Sequence, residues 1–378
     1  MTTTPHQADL YEKNINFLIG AGASAGLFPT LQLALKDGEG KWVTVETLAT
    51  MFEASGQSEQ KTALFAYYYQ NVIEVVLKAK YETLELLHDA PHQYKEFLTT
   101  ILLMLNRKRA GEPKRCNIFT TNYDGCLEFA ADQLLKESPF DFCVNDGAKG
   151  FQRRVLDAKN FNQSVTEMGV FGRHRTEIPQ ININHLHGSV YWHRHGDSQI
   201  IVDYWKDSKE REIQSDIWEA CSDFSKVLQN DTLTTADLPK VAITEQQMAH
   251  FWEQYNKLPI VNPTKWKFHE TVFDEHYYQM LRHLSYELER PNSVLLVFGF
   301  SFADEHIRNL VKRSLSNPGL QMFVYCFRKA DVEFIQKMFA KFPNVMPIGL
   351  DDKNIDFKEF NSLLTTPPKT TQQEVQIA

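Results

Sequence analysis

Six short apolar runs, separated by helix-patterned segments, limit the folds open to this chain of 378 residues. They are INFLIG (15–20), CNIFTT (116–121), ININHLHG (181–188), LPIVNP (258–263), SVLLVFGF (293–300) and MFVYCF (322–327). Their hydrophobicity is nearly continuous, so both faces of each strand must be covered, as in a parallel sheet layered between helices. Helical periodicity between the runs completes the pattern. The expected fold is α/β, a Rossmann-like doubly wound and mainly parallel sheet with large helical insertions.

The spacing is uneven. Between the first two runs, LFAYYYQNVIEVVLKAKYETLELLHD and QYKEFLTTILLMLNRKR repeat apolar residues at helical intervals. One crossover needs one helix, so residues of about 31–112 read as an inserted helical layer. A second insert, about 204–256, contains KEREIQSDIWEACSDFSKVLQ and TEQQMAHFWEQYNKL, also helical in pattern. DEHIRNLVKRSLS reads as a crossover helix stopped by NPG. The whole is expected to form a single domain over 1–365, followed by a polar, proline-bearing, disordered tail at 366–378.

Charge and cysteine usage exclude several classes. The formal net charge of −8 argues against a general nucleic-acid-binding surface. No apolar stretch is long enough to span a membrane, and the N-terminus lacks the basic start and apolar core of a secretory signal. The five cysteines, at 116, 126, 143, 221 and 326, form no C-x-x-C pair. That scattered set suits reduced thiols in a cytoplasmic protein and offers no four-cysteine zinc site.

In an open α/β sheet, ligands gather beyond the carboxyl ends of the strands. The first run ends in Gly20-Ala21-Gly22-Ala23-Ser24 and the second in Thr120-Thr121-Asn122-Tyr123-Asp124. The third ends in His185-Leu186-His187-Gly188-Ser189 and the fifth in Gly299-Phe300-Ser301-Phe302-Ala303-Asp304. The glycines allow a tight turn and close approach of backbone to a ligand, and free N–H groups there suit a phosphate. A P-loop is excluded because Leu27 follows Gly26, whereas Gly20-x-Gly22-x-x-Ala25 meets the looser dinucleotide pattern. Each group alone has a plainer reading: Gly20–Gly26 as a strand–helix turn, Asn122 and Asp124 as a turn and helix cap, His187 as a core histidine. Their convergence on one rim is what points to a site. The pairs His185/His187 and His193/His195 have no nearby carboxylate cluster and make a weak metal site. No G-x-S-x-G elbow is present, and Cys126 reads as a buried helix residue rather than a nucleophile.

Taken in order, GAGAS, TTNYD, LHGS and GFSFADEHI resemble the sirtuin superfamily, and more closely its bacterial sirtuin-like branch of anti-phage defence. The stretch PIVNPTKWKFHETVFDEHYYQMLRHL is similar to that branch as well. The resemblance implies NAD as substrate and cleavage of its nicotinamide–ribose bond. Gly20, Ala21, Gly22 and Ser24 would then line the phosphates and adjoining ribose. Thr121-Asn122-Tyr123-Asp124 would match the sirtuin Gln-Asn-Ile-Asp, with Asn122 positioning ribose and water and Asp124 anchoring the nicotinamide side. His187 would be the general base, and Gly299 and Ser301 would surround the adenosine ribose and phosphates.

Two departures from deacylating sirtuins bear on the reaction. The four-cysteine zinc ribbon expected after His-Gly is missing, so no zinc is expected. Pro29-Thr30-Leu31-Gln32 replaces Pro-Asp-Phe-Arg. Both weigh against acyl-lysine chemistry, and the resemblance to the defence branch, which shows such losses, implies outright hydrolysis of NAD with Asn122, His187 and Asp124 as the catalytic set. Unrestrained NAD hydrolysis would harm the cell and no sensor domain is evident, so a separate partner that restrains or activates the chain is expected, and the helical inserts are candidates for homo-oligomer contacts. The resemblance implies a HerA-type ATPase as that partner first and a short Argonaute second. A protein deacylase and a non-catalytic NAD or ADP-ribose sensor are the alternatives. A dehydrogenase would leave Asn122, Asp124 and His187 unexplained.

Overall fold

The computed structural model describes residues 10, 12–109, 111–139, 141–168, 175–196, 199–205, 212–262 and 275–365. Its centre is a seven-stranded sheet of β1 (Asn14–Ile19), β2 (Arg115–Thr120), β3 (Cys143–Asn145), β4 (Gln180–His185), β5 (Ser293–Phe298), β6 (Leu320–Tyr325) and β7 (Val345–Ile348). The order is β7-β6-β5-β1-β2-β4-β3, with every pairing parallel. The helices used below are α1 (Ala90–Asn106), α2 (Cys126–Glu137), α3 (Glu275–Glu289), α4 (Glu305–Ser314) and α5 (Phe357–Thr365).

Alternation along each strand divides the apolar side chains between two helical layers. Phe17 points to one face, where it packs edge-on against Phe97 of α1 and Phe360 of α5. Leu18, Leu295 and Val297 share the opposite core with Met280 and Leu284 of α3 and Ile307 and Val311 of α4. The sheet is therefore doubly wound. The chain leaves β1 for β2 on one side, and β5 later returns to the other side of β1. That reversal opens a crevice at the carboxyl ends of β1 and β5, where such folds bind ligands.

A buried amide ladder crosses the sheet. Asn16, Asn117 and Asn182 are register mates on β1, β2 and β4. Asn182 Nδ2 donates to Asn117 Oδ1 at 2.8 Å, and Asn117 Nδ2 donates to Asn16 Oδ1 at 2.9 Å. A one-residue slip would turn a strand's amide to the other face and leave buried donors and acceptors unpaired. The ladder thus specifies the register that aligns the strand ends.

Several expectations need correction. LPIVNP does not join the sheet: Pro259 has no N–H to give a ladder, and Ile260 makes only an isolated antiparallel bridge to Gly188. The run straps the loop after β4 instead, with Val261 N–H donating to His187 O at 2.9 Å. The first insert is not purely helical, since it opens with an antiparallel hairpin of Gln32–Lys36 and Trp42–Thr44. In the second, of the segment expected to be helical over 209–229, the described residues 212–229 form α-helix only over Ser222–Leu228. Just upstream, Ser215 Oγ accepts from Ile217 N–H and Gln254 Oε1 accepts from Gln214 N–H, bonds that compete with a helix. A four-stranded antiparallel sheet of residues 148–149, 155–156, 192–195 and 199–202 was not anticipated. The N-terminal residues 1–9, the whole KWKFHETVFD stretch (265–274) and the tail 366–378 lie outside the described residues. Among the described residues no helix is long and apolar enough to cross a membrane.

Candidate active site

Register places the four motifs side by side. Phe298, Ile19, Thr120 and His185 form one row across β5, β1, β2 and β4. One residue further along lie Gly299, Gly20, Thr121 and Leu186. The main chain stays bonded there: Gly20 N–H donates to Phe298 O, Thr121 N–H to Ile19 O and Leu186 N–H to Thr120 O, at 3.0, 3.1 and 2.8 Å. Asn122 and His187 therefore both stand two residues past the same paired row, on adjacent strands.

The glycines serve close backbone contact. A Cβ on Gly20 would sit 2.5 Å from Gly299 O, and one on Gly22 2.7 Å from Gly299 Cα. Gly22 N–H donates to Gly299 O at 2.9 Å. Two loops from distant parts of the chain are thereby locked across the crevice. Ala21, Gly22 and Ser301 remain exposed on its lip.

Beneath the lip lies a buried polar floor. Ser24, only 2% exposed, donates to Asp124 Oδ2 at 2.9 Å and lies 2.7 Å from Tyr94 Oη of α1. Asn122 Nδ2 donates to Ser24 Oγ at 3.3 Å. With Asp124 ionised, the single proton of Ser24 goes to the carboxylate, so Tyr94 donates to Ser24. Asn122 Oδ1 is buried and has no hydrogen-bond partner among the described residues. Asp124 Oδ1 accepts from Cys126 N–H at 3.1 Å, an Asx-type turn one residue before Gly125, which is the N-cap of α2, so Asp124 is not itself the helix cap. Burial pushes the Cys126 thiol well up, as suits a buried residue and not a nucleophile.

The two histidines at the end of β4 and in the loop after it take different partners. His185, buried, faces Glu128 Oε1 of α2 through Nε2 at 2.7 Å and donates from Nδ1 to Asn122 O at 2.9 Å. Burial alone would depress this imidazole, but the Glu128 carboxylate and Asn122 carbonyl outweigh it and its pKa is raised. His187 is less enclosed, its side chain 13% exposed, and its Nε2 lies 3.1 Å from Asp304 Oδ2. Among the described residues no hydrogen bond reaches its Nδ1.

The predicted residues thus gather at one edge: Ser24, Asn122 and Asp124 share a hydrogen-bonded cluster, Thr121 and His187 flank it, and Gly20, Ala21, Gly22, Gly299 and Ser301 form the lip. Ser24 sits under the loop, its hydroxyl engaged by Asp124, Tyr94 and Asn122. Sequence reasoning missed Tyr94 and Glu128. No local signal marks Tyr94, which reaches the floor from the inserted layer, whereas Glu128 lies one helical turn after Asp124. A cavity of about 620 Å³ between α3 and residues 155–162 contains none of the strand-end groups. A second, of about 260 Å³, opens at Ser189 and Val190, directly after the His187 loop. Among the described residues no group of three or more His, Cys, Asp or Glu is placed to hold a metal.

Burying the Asp124 carboxyl also works against the fold at neutral pH. Burial raises its pKa above the ordinary carboxylate value, partly offset by the Cys126 N–H and Ser24 hydroxyl. A raised folded-state pKa favours folding fully only below the unfolded value of about 4, and that contribution is lost as pH rises through the folded pKa. Asp124→Asn, which mimics the protonated form, is therefore expected to melt higher than wild type near neutral pH, with the gap closing toward about pH 4. Melting curves across that range check it; a gap that does not vary with pH contradicts it.

A family model of the SIR2-like domain matches residues 117–344, well over half the chain. No curated protein matches the sequence. The matched stretch contains Asn122, Asp124, His187, Gly299 and Ser301, and the Gly20–Ser24 loop, which precedes it, is locked to it through Gly299. The chain belongs to the SIR2-like domain family, and NAD-related activity goes with that membership.

Proposed function

We propose that this chain is an NAD⁺ glycohydrolase: NAD⁺ and water give ADP-ribose, nicotinamide and a proton. The observation that carries this reading is the buried, unpartnered Oδ1 of Asn122 standing at the same strand-end level as His187. A buried acceptor without a partner is unfavourable in the free protein. A ribose hydroxyl or the attacking water would satisfy it. Positive charge develops at the ribose carbon as nicotinamide leaves, and a fixed amide dipole and the Asp124 carboxylate stabilise that charge without reorganising. His187 presents Nδ1 to accept the proton of the water or of a ribose hydroxyl. The exposed lip of Ala21, Gly22 and Ser301 suits the phosphates and adenosine ribose, and Ser24 and Tyr94 hold Asn122 and Asp124 in place.

The test is nicotinamide release from NAD⁺ by the purified protein, alone and with the product of the neighbouring gene. Release that depends on that partner supports the further reading of a defence effector gated by a HerA-type ATPase, or second by a short Argonaute. That reading rests on the motif resemblance. No release in either case removes the hydrolase assignment. A protein deacylase is the second reading, favoured by the 260 Å³ cavity beside Ser189, which has room for an acyl chain. NAD-dependent deacylation of an acyl-lysine peptide would distinguish it.

A further inference from the structure

Asp304 occupies two positions at once. Its Oδ1 accepts the N–H groups of His306 and Ile307, at 3.0 and 3.1 Å, and so caps α4. Its Oδ2 lies 3.1 Å from His187 Nε2. The residue is 8% exposed, and the loop before it is bent to bring it there. Phe302 has a φ of 59°, a left-handed conformation that bulky residues rarely adopt. It is fully buried, its ring edge-on to Phe300 and Phe339, and its carbonyl accepts from Arg308 Nη1 at 2.9 Å. Packing and hydrogen bonding hold the strained turn, as expected where geometry matters at a site.

From this arrangement we infer that Asp304 is a positioning residue for His187. It fixes the imidazole as the Nε2–H tautomer and leaves Nδ1 as the proton acceptor. This inference rests on the NAD-cleavage reading for its kinetic consequence, but not for the tautomer itself. The reasoning is one of donors and acceptors. The helix needs an acceptor at the Oδ1 position, so the second oxygen is the one that faces the ring. A carboxylate oxygen only accepts, so Nε2 must carry the proton. The proton taken from water or ribose then goes to Nδ1, where no described residue competes for it.

Asp304→Asn isolates the effect. Asparagine is as good a cap as aspartate, and the cap holds its oxygen toward the His306 and Ile307 N–H groups. Its NH₂ must then face Nε2. A donor facing a donor forces the ring to the Nδ1–H tautomer and blocks the base. The same swap at a buried His–Asp pair in a serine protease is the known precedent for a large loss of turnover with intact geometry.

The experiment has two arms. In the first, ¹⁵N spectra of histidine-labelled free protein, with His187→Gln to identify the signal, report which ring nitrogen is protonated. Wild type is expected to show Nε2–H and Asp304→Asn to show Nδ1–H. In the second, Asp304→Asn is expected to lower kcat for nicotinamide release by about 10²-fold with KM for NAD⁺ within about threefold, because ground-state binding is untouched. An unchanged tautomer, or an unchanged kcat despite a changed tautomer, overturns the inference. Should Asp304→Asn fold poorly, Asp304→Ser keeps a cap hydroxyl without offering a second oxygen to the ring, and the same kcat loss is expected. A wild-type protein that releases no nicotinamide, with or without its partner, counts against NAD cleavage itself, and the tautomer arm then decides the pairing on its own.

Discussion

Asn122→Ala is expected to lower nicotinamide release from NAD⁺ by about 10³-fold while leaving the fold intact. The size of the effect follows from removing a preorganised group that acts where charge develops, for which losses of roughly 10²–10³-fold are usual. The intact fold follows from the hydrogen bonds. Asn122 Oδ1 has no partner among the described residues, so its removal breaks no native bond. Nδ2 gives up a single long contact of 3.3 Å to Ser24, which keeps Asp124 and Tyr94. The loop itself is held by main-chain atoms that the substitution leaves in place, with Asn122 N–H donating to Thr120 Oγ1 and Asn122 O accepting from His185. Stability should shift by no more than about 1 kcal/mol in either direction. His187→Ala should show a comparable loss of turnover with a similarly small change in melting temperature. Near-normal activity in Asn122→Ala would end its catalytic assignment, and a collapse in melting temperature would make the residue structural.

How much of this was readable beforehand depends on range. The strand runs at 15–20, 116–121, 293–300 and 322–327 were legible because central parallel strands must be apolar on both faces. β3 and β7 were not. β3 is three residues long, and β7 has Pro347, which an edge strand tolerates but which obscures the pattern. LPIVNP reads as a strand by composition, and only its prolines warned otherwise. The strand-end motifs were legible because the position of a ligand site in an open sheet follows from topology. The contacts that make them a site were not. Tyr94 meets Ser24 across 70 positions and Ser24 meets Asp124 across 100. Asp304 lay within a quoted motif, yet its approach to His187 depends on a left-handed Phe302 that no periodicity announces.

Gly299→Ala is expected to be strongly disruptive, and Gly26→Ala is its control. Both glycines have positive φ, 66° and 84°. A Cβ in that region costs about 1–2 kcal/mol, so both variants carry that term. They differ in surroundings. Nothing lies within 4 Å of a Cβ on Gly26. A Cβ on Gly299 would meet Ala23 N at 2.5 Å, Gly22 C at 2.9 Å and Gly20 O at 3.0 Å. All three are main-chain atoms, so no side chain can swing aside, and relief requires the two loops to separate. Separation strains the Gly22 N–H to Gly299 O bond and shifts Ser24, the centre of the polar floor. Overpacking of this kind costs about 1–3 kcal/mol, which brings Gly299→Ala to roughly 2–5 kcal/mol, a large share of the roughly 5–15 kcal/mol that holds a typical protein folded. Urea denaturation of the two variants beside wild type measures the difference. Gly299→Ala should also lose NAD⁺ binding, because the lip can no longer close, while Gly26→Ala should keep it. Equal destabilisation at the two positions would mean that backbone conformation alone demands glycine there, and that the close contact of the loops contributes nothing.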